Sequence, residues 1–149
     1  MAVHRRRTAH VKVSGNARVT VTGLRATSKA LKSAGSGAAA GDLGKRLKEA
    51  GELVAVIARQ KAAFSSRIPG SIKVTGGRSG VSIAAGSAKA PHAEAFELGK
   101  KHPLFGNRGY WYPTAHIPFL EDAADEGADG AAVIVARVVD DWAREYGFR

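Results

Sequence analysis

The 149-residue chain contains no cysteine. That absence excludes a disulfide framework, thiol chemistry and cysteine-rich zinc modules. No apolar run approaches the roughly 18 residues that a membrane-spanning helix needs. Runs such as Ala131 to Ala136 fall far short, so no membrane partner is expected. Arg5, Arg6 and Arg7 are followed by no apolar segment, and no secretory signal is expected. A Gly-x-Ser-x-Gly nucleophile elbow and a phosphate-binding loop are both missing. The glycine-rich stretch from Gly76 to Gly80 lies between two alternating segments. There it turns a hairpin and lacks the following helix whose dipole binds phosphate.

Metal ligation also lacks a pattern. His92, Glu94, Glu97, His102 and His116 are the residues available near one another in sequence. None of them falls in a His-Glu-x-x-His or comparable helical spacing. No metal, no cofactor and no catalytic residue is therefore expected, and the chain is read as something other than an enzyme.

Acidic residues are missing from residues 1–41, which hold eight Lys or Arg. Residues 42–91 hold nine basic and three acidic residues, whereas 121–149 reverse sign with three basic and eight acidic. The net charge is +10. Such polarity suits a basic surface facing nucleic acid, or subunits packing a basic face on an acidic one. Apolar residues make up 44 %, enough for a globular domain with a moderate core.

Periodicity then predicts the elements. Residues 1–41 read as a basic N-terminal arm and linker. Within it Val11 to Val13 and Arg18 to Thr22 alternate as strands do, Leu24 to Ala34 suits a short helix, and 33–41 is small and flexible. The main domain, 42–149, opens at Asp42, an N-cap candidate. Leu43, Leu47, Ala50, Leu53, Val54, Ile57, Ala58 and Phe64 follow at three- and four-residue steps, the mark of an amphipathic helix. Gly44 and Gly51 weaken it by roughly 1 kcal/mol each, so tertiary packing must hold it. Pro69 and Gly70 open a hairpin whose strands are 71–75 and 81–84. A short element from His92 stops at Gly99. Residues 100–118 read as a long ordered loop whose aromatics pack down. Pro118 then starts a helix running to about Tyr146, with apolar positions including Leu120, Ala123, Ala124, Ala128, Val138 and Trp142. The expected architecture is α+β: two main helices on a small antiparallel sheet, with the basic arm and the aromatic loop attached.

Three segments carry a family resemblance. Ile68 to Ile72 precedes the predicted hairpin. Phe96, Glu97, Leu98 and Gly99 form an aromatic–Glu–x–Gly element, and Pro118, Phe119 and Leu120 open the acidic helix. In that order, across residues 43–130, the chain resembles the head–tail joining, or tail-completion, proteins of siphophages. The resemblance implies a structural subunit in the neck of a long-tailed bacteriophage. It implies a homo-oligomeric ring, of six copies, between a head-side connector and the tail terminator or tail-tube proteins. It also implies a place in the virion, after assembly in the host bacterial cytoplasm. A tail terminator or minor tail protein of the same virion is the neighbouring alternative. A non-specific nucleic-acid-binding protein is the alternative from another class.

Several residues become candidate contacts. Glu97 is either a structural carboxylate tying the loop to the domain or a partner for a basic residue such as Arg108 of a neighbour. Tyr110, Trp111 and Tyr112 are either core or an interface hot spot, since Tyr and Trp concentrate at interface centres. Phe119, at the head of the last helix, joins the interface candidates. Arg5, Arg6, Arg7, Lys12 and Arg18 are candidates for contact with genomic DNA in a channel or with an acidic partner subunit.

Overall fold

The computed structural model describes residues 10–14, 18–22, 37–77, 80–104 and 107–147. Arg5 to Arg7 and the helix expected at Leu24 to Ala34 lie outside them. The described elements run β1 (His10–Ser14), β2 (Arg18–Thr22), α1 (Gly37–Lys61), α2 (Ile68–Ser71), β3 (Lys73–Gly77) and β4 (Gly80–Ala84). Then come α3 (Ala93–Leu98), β5 (His102–Leu104), β6 (Asn107–Tyr112) and α4 (Phe119–Glu145). The fold is α+β, as the patterning predicts. α1 lies across β3 and β4, and α4 lies along α1 and reaches β1 and β2.

The main sheet is antiparallel with strand order β1-β2-β4-β3. β2 pairs with β4, Val19 opposite Ile83 and Val21 opposite Val81. β3 closes the far edge, Val74 opposite Ile83. This corrects the division at residue 41. The alternating residues of the expected arm are two of the four strands of this sheet, so they belong to the domain. A hairpin that adds its backbone groups to β4 satisfies hydrogen bonds that an arm would leave to water.

α1 also begins earlier than expected, at Gly37 instead of Asp42. The run Ala38 to Ala40 favours helix, and Ala39 is buried, its carbonyl accepting from Trp142 Nε1 at 3.0 Å. Asp42 therefore lies inside the helix. It accepts from Arg46 Nε one turn on, at 2.7 Å, while Arg46 Nη2 reaches Glu145 of α4 at 2.6 Å. Lys61–Glu126 and Arg137–Glu49 link the same two helices. These pairs are half-buried to exposed and worth at most about 1 kcal/mol each. They absorb within one chain part of the charge reversal seen in sequence.

Leu43, Leu47, Ala50, Val54 and Ala58 are buried as the 3.6-residue period predicts, joined by Ala55 and Ala62. The helix glycine that seemed costly has a packing reason. A Cβ on Gly51 would meet Val81 Cγ1 and lie 2.7 Å from Val74 Cγ1. Gly76 of β3 in turn backs onto the carbonyl of Gly44. The two positions let helix and hairpin approach more closely than any side chain would allow. On the other side, Gly127 and Gly130 of α4 face Val54 and Leu53, and α4 runs through both without a break.

Two buried clusters result. One gathers Val54, Ala58, Ile68, Ile72, Ile83, Phe119 and Leu120, and the other Ala39, Leu43, Leu47, Val81, Val138 and Trp142. Val74 packs against both. Ala128, expected on the apolar face of α4, is exposed. Where a hairpin was expected to open at Pro69, the chain makes the single helical turn α2. Ser71 locks that turn, donating to the Ile68 carbonyl at 2.7 Å and accepting from Gly86 N at 3.0 Å.

Candidate functional site

The segment expected to be a loop with packed aromatics is a second, separate two-stranded sheet, β5 with β6. His102 stands opposite Tyr112 and Pro103 opposite Trp111, with a register shift before Leu104 meets Asn107. Tyr110 is 63 % exposed, Trp111 59 % and Tyr112 47 %. Side chains alternate across a strand, so both faces of this ribbon present aromatic surface. The packed-core reading of these three residues is thereby corrected: the domain core closes without them.

The ribbon springs from a pinned base. α3 ends at Gly99, which takes the left-handed conformation with φ 63°. A Cβ there would sit 3.0 Å from that of His116, so glycine serves both the turn and the close passage of the returning chain. Lys100 N donates to the Ala95 carbonyl at 3.0 Å, and Ile117 N to the Phe96 carbonyl at 2.9 Å. His116 Nε2 lies 3.0 Å from the Glu97 carbonyl oxygen. Both stems of the ribbon are thus held to one short helix.

Glu97 completes the clamp. Pro118 occupies the N-cap of α4 and offers no side-chain acceptor, so the first amides of the helix need one from elsewhere. Glu97 Oε2 accepts from Leu120 N at 2.8 Å and Oε1 from Glu121 N at 2.9 Å. The carboxyl is 2 % exposed. Burial pushes it above the usual carboxylate range, assisted by the nearby Glu121 and Asp122 and opposed by the two amide donors. The structural reading of Glu97 accounts for both oxygens. A carboxylate so enclosed has no face to offer Arg108 of a neighbour, and the interface reading is corrected on that ground.

Phe119 is corrected likewise: it is fully buried, with Phe64 at 6.2 Å between ring centroids. Phe64 also meets Phe96 in a tilted ring contact, 4.9 Å between centroids. Phe119 therefore belongs to the core beneath the ribbon's base. Arg108 lies on β6, Lys12 on β1 and Arg18 at the start of β2. Their side chains fall outside the described residues. Among the described residues no group of three or more His, Asp or Glu could hold a metal ion. No helix of the described residues is long and apolar enough to cross a membrane.

One surface escaped sequence reading. The outward side of α4 carries Asp125, Asp129, Ala132, Val133, Ala136 and Asp140, all exposed, with Val133 at 71 %. The helical period places them opposite Leu120, Ala124, Val138 and Trp142. The signal was Val133, an apolar residue out of phase with its buried neighbours. What the described geometry offers chemically is contact surface: a rigidly based aromatic ribbon and an acid-rimmed apolar stripe. No family model, curated protein or solved structure matches the chain.

Proposed function

We propose that the protein is a structural subunit of the neck of a long-tailed bacteriophage, joining the head connector to the tail as one member of a six-copy ring. The observation that carries the reading is the ribbon of Tyr110, Trp111 and Tyr112, uncovered yet bonded at its base to the body of the domain. An exposed aromatic surface of this kind is costly in an isolated chain and suits assembly. The three segments of the family resemblance add support, because they converge. Ile68 and Ile72, Phe96, and Phe119 with Leu120 all pack in or against one buried cluster, and Glu97 caps the helix that Pro118 precedes.

The role is that of an adaptor, acting through surfaces and not through chemistry. The decisive experiment is electron microscopy of lysates from the phage carrying a stop codon at Lys45. Full heads and finished tails lying apart are the expected outcome. Normal particles would overturn the neck role and bring forward non-specific binding of nucleic acid by the basic N-terminal residues. Absent or overlong tails would move the protein to tail termination or tail construction.

A further inference from the structure

We propose that the aromatic ribbon of one copy docks on the outward stripe of α4 of the next copy, so that this contact closes the ring. The inference rests on the ring reading above and names the two faces that meet. Each face is apolar at its centre. Tyr110 and Trp111 are more than half exposed on the ribbon, and Val133, flanked by Ala132 and Ala136, is 71 % exposed on the helix. Leaving both in water forgoes the hydrophobic gain that mutual burial supplies.

Charge complements the apolar match. Residues 99–118 contain Lys100, Lys101 and Arg108 and no acidic residue; Lys100 pairs with Glu94 of its own chain at 2.9 Å, which leaves Lys101 and Arg108 as the charges for a neighbour. The stripe is bordered by Asp125, Asp129 and Asp140. The ion pairs of α4 among the described residues use Glu126, Arg137, Asp141, Arg144 and Glu145; Arg137, one turn from Val133, is engaged with Glu49, and none of the pairs uses Asp125, Asp129 or Asp140. A second copy is thus the occupant that supplies both the aromatic edge and the positive charge.

Tyr110, Trp111 and Val133 are all exposed within one chain, so the two faces do not cover each other there and the contact is intermolecular. The ribbon returns to the body at Ile117, beside the first turn of α4, and Val133 lies fourteen residues further on from Phe119. At 1.5 Å per residue the stripe's centre is about 20 Å along the helix from the ribbon's base. Two unlike patches at that separation make a head-to-tail contact, which generates a ring when the rotation closes.

The test exploits the absence of cysteine. Full-length Tyr110→Cys and Val133→Cys chains are mixed under mild oxidation, and oligomer mass is followed by native mass spectrometry and sedimentation. Expected are a mixed disulfide dimer in excess over like–like dimers, and a covalent ladder from the chain carrying both substitutions. Trp111→Ser and Val133→Asp each raise the dissociation constant about 30-fold or more while thermal unfolding of the monomer stays put. An oligomer that forms normally in both variants and gives no mixed disulfide overturns the docking and leaves the ring standing. A wild-type chain monomeric at every concentration overturns the ring and the docking together.

Discussion

Glu97→Ala removes the acceptors of the second and third amides of α4, those of Leu120 and Glu121, and its effect can be worked out from the contacts. Leu120 N and Glu121 N both lose their partner, and Pro118 has no side-chain oxygen to replace it. A buried donor left unsatisfied costs about 1–3 kcal/mol, and loss of a helix cap costs about 0.5–2 kcal/mol. Leu120 N is enclosed and takes the larger penalty, while Glu121 N is near the surface and regains water. Set against this is the relief of no longer burying a charge. The expected net loss is about 2–4 kcal/mol, on the order of 10 °C in Tm for a chain of this size. Glu97→Gln retains one acceptor but turns its NH2 toward the other amide, and falls between alanine and wild type.

The pH dependence has a definite sign. Burial holds the Glu97 pKa above its unfolded value, so between the two values the folded chain binds more protons than the unfolded one. Stability from this group is fully present below the unfolded pKa and is lost as pH rises through the folded pKa. The deficit of Glu97→Gln relative to wild type is therefore largest in acid and shrinks toward neutral pH. Urea unfolding of the full chain at several pH values reads both effects. A change below about 0.5 kcal/mol in Glu97→Ala refutes the capping account, and a Gln deficit that grows with pH refutes the upward shift of the Glu97 pKa by burial.

Two glycines of α1 should respond oppositely to alanine. Gly41→Ala meets nothing within 4 Å and is expected to stabilise by about 0.5–1 kcal/mol through helix propensity. Gly51→Ala drives a methyl into Val74 and Val81 and is expected to destabilise by about 1–3 kcal/mol despite the same propensity gain; thermal melts that move together would contradict the packing. Trp142→Phe removes the donor to the Ala39 carbonyl and should cost about 1–2 kcal/mol, with amide exchange of the first turn of α1 accelerating most. Lys61→Ala breaks a pair whose glutamate is mostly exposed and should change stability by less than about 1 kcal/mol, an effect that vanishes in high salt.

The parts that the sequence made legible are those where burial is one-sided. α1 and the body of α4 were readable because one face of each packs and the other meets water, which writes a 3.6-residue period into the residues. Strand β4 alternates for the same reason, with Val81 and Ile83 buried and Ser82 between them less so. Phe119 was readable as important but not as inward-facing, and Glu97 was readable as a structural carboxylate but without its partners. Glu97's partners are backbone amides, which have no letter in the sequence. The trace they left was indirect: a helix opening at Pro118 has no cap of its own, so an acceptor must arrive from elsewhere in the chain.

The ribbon was illegible for a physical reason that bears on its role. Alternation arises only when one face of a strand is buried and the other is not. Tyr110, Trp111 and Tyr112 are consecutive and all exposed, so β6 carries no such pattern and reads as a loop. In a monomer, three adjacent aromatics facing water on both sides of a two-stranded sheet lack the burial that stabilises such small sheets. Hydrogen bonds at the base, from Ile117 to Phe96 and around Glu97 and His116, fix where the ribbon leaves the domain but leave its faces uncovered. A surface held in place yet left apolar has the physical form of one half of an interface. The lost alternation that defeated the sequence reading is thus the same feature that directs attention to a neighbouring subunit.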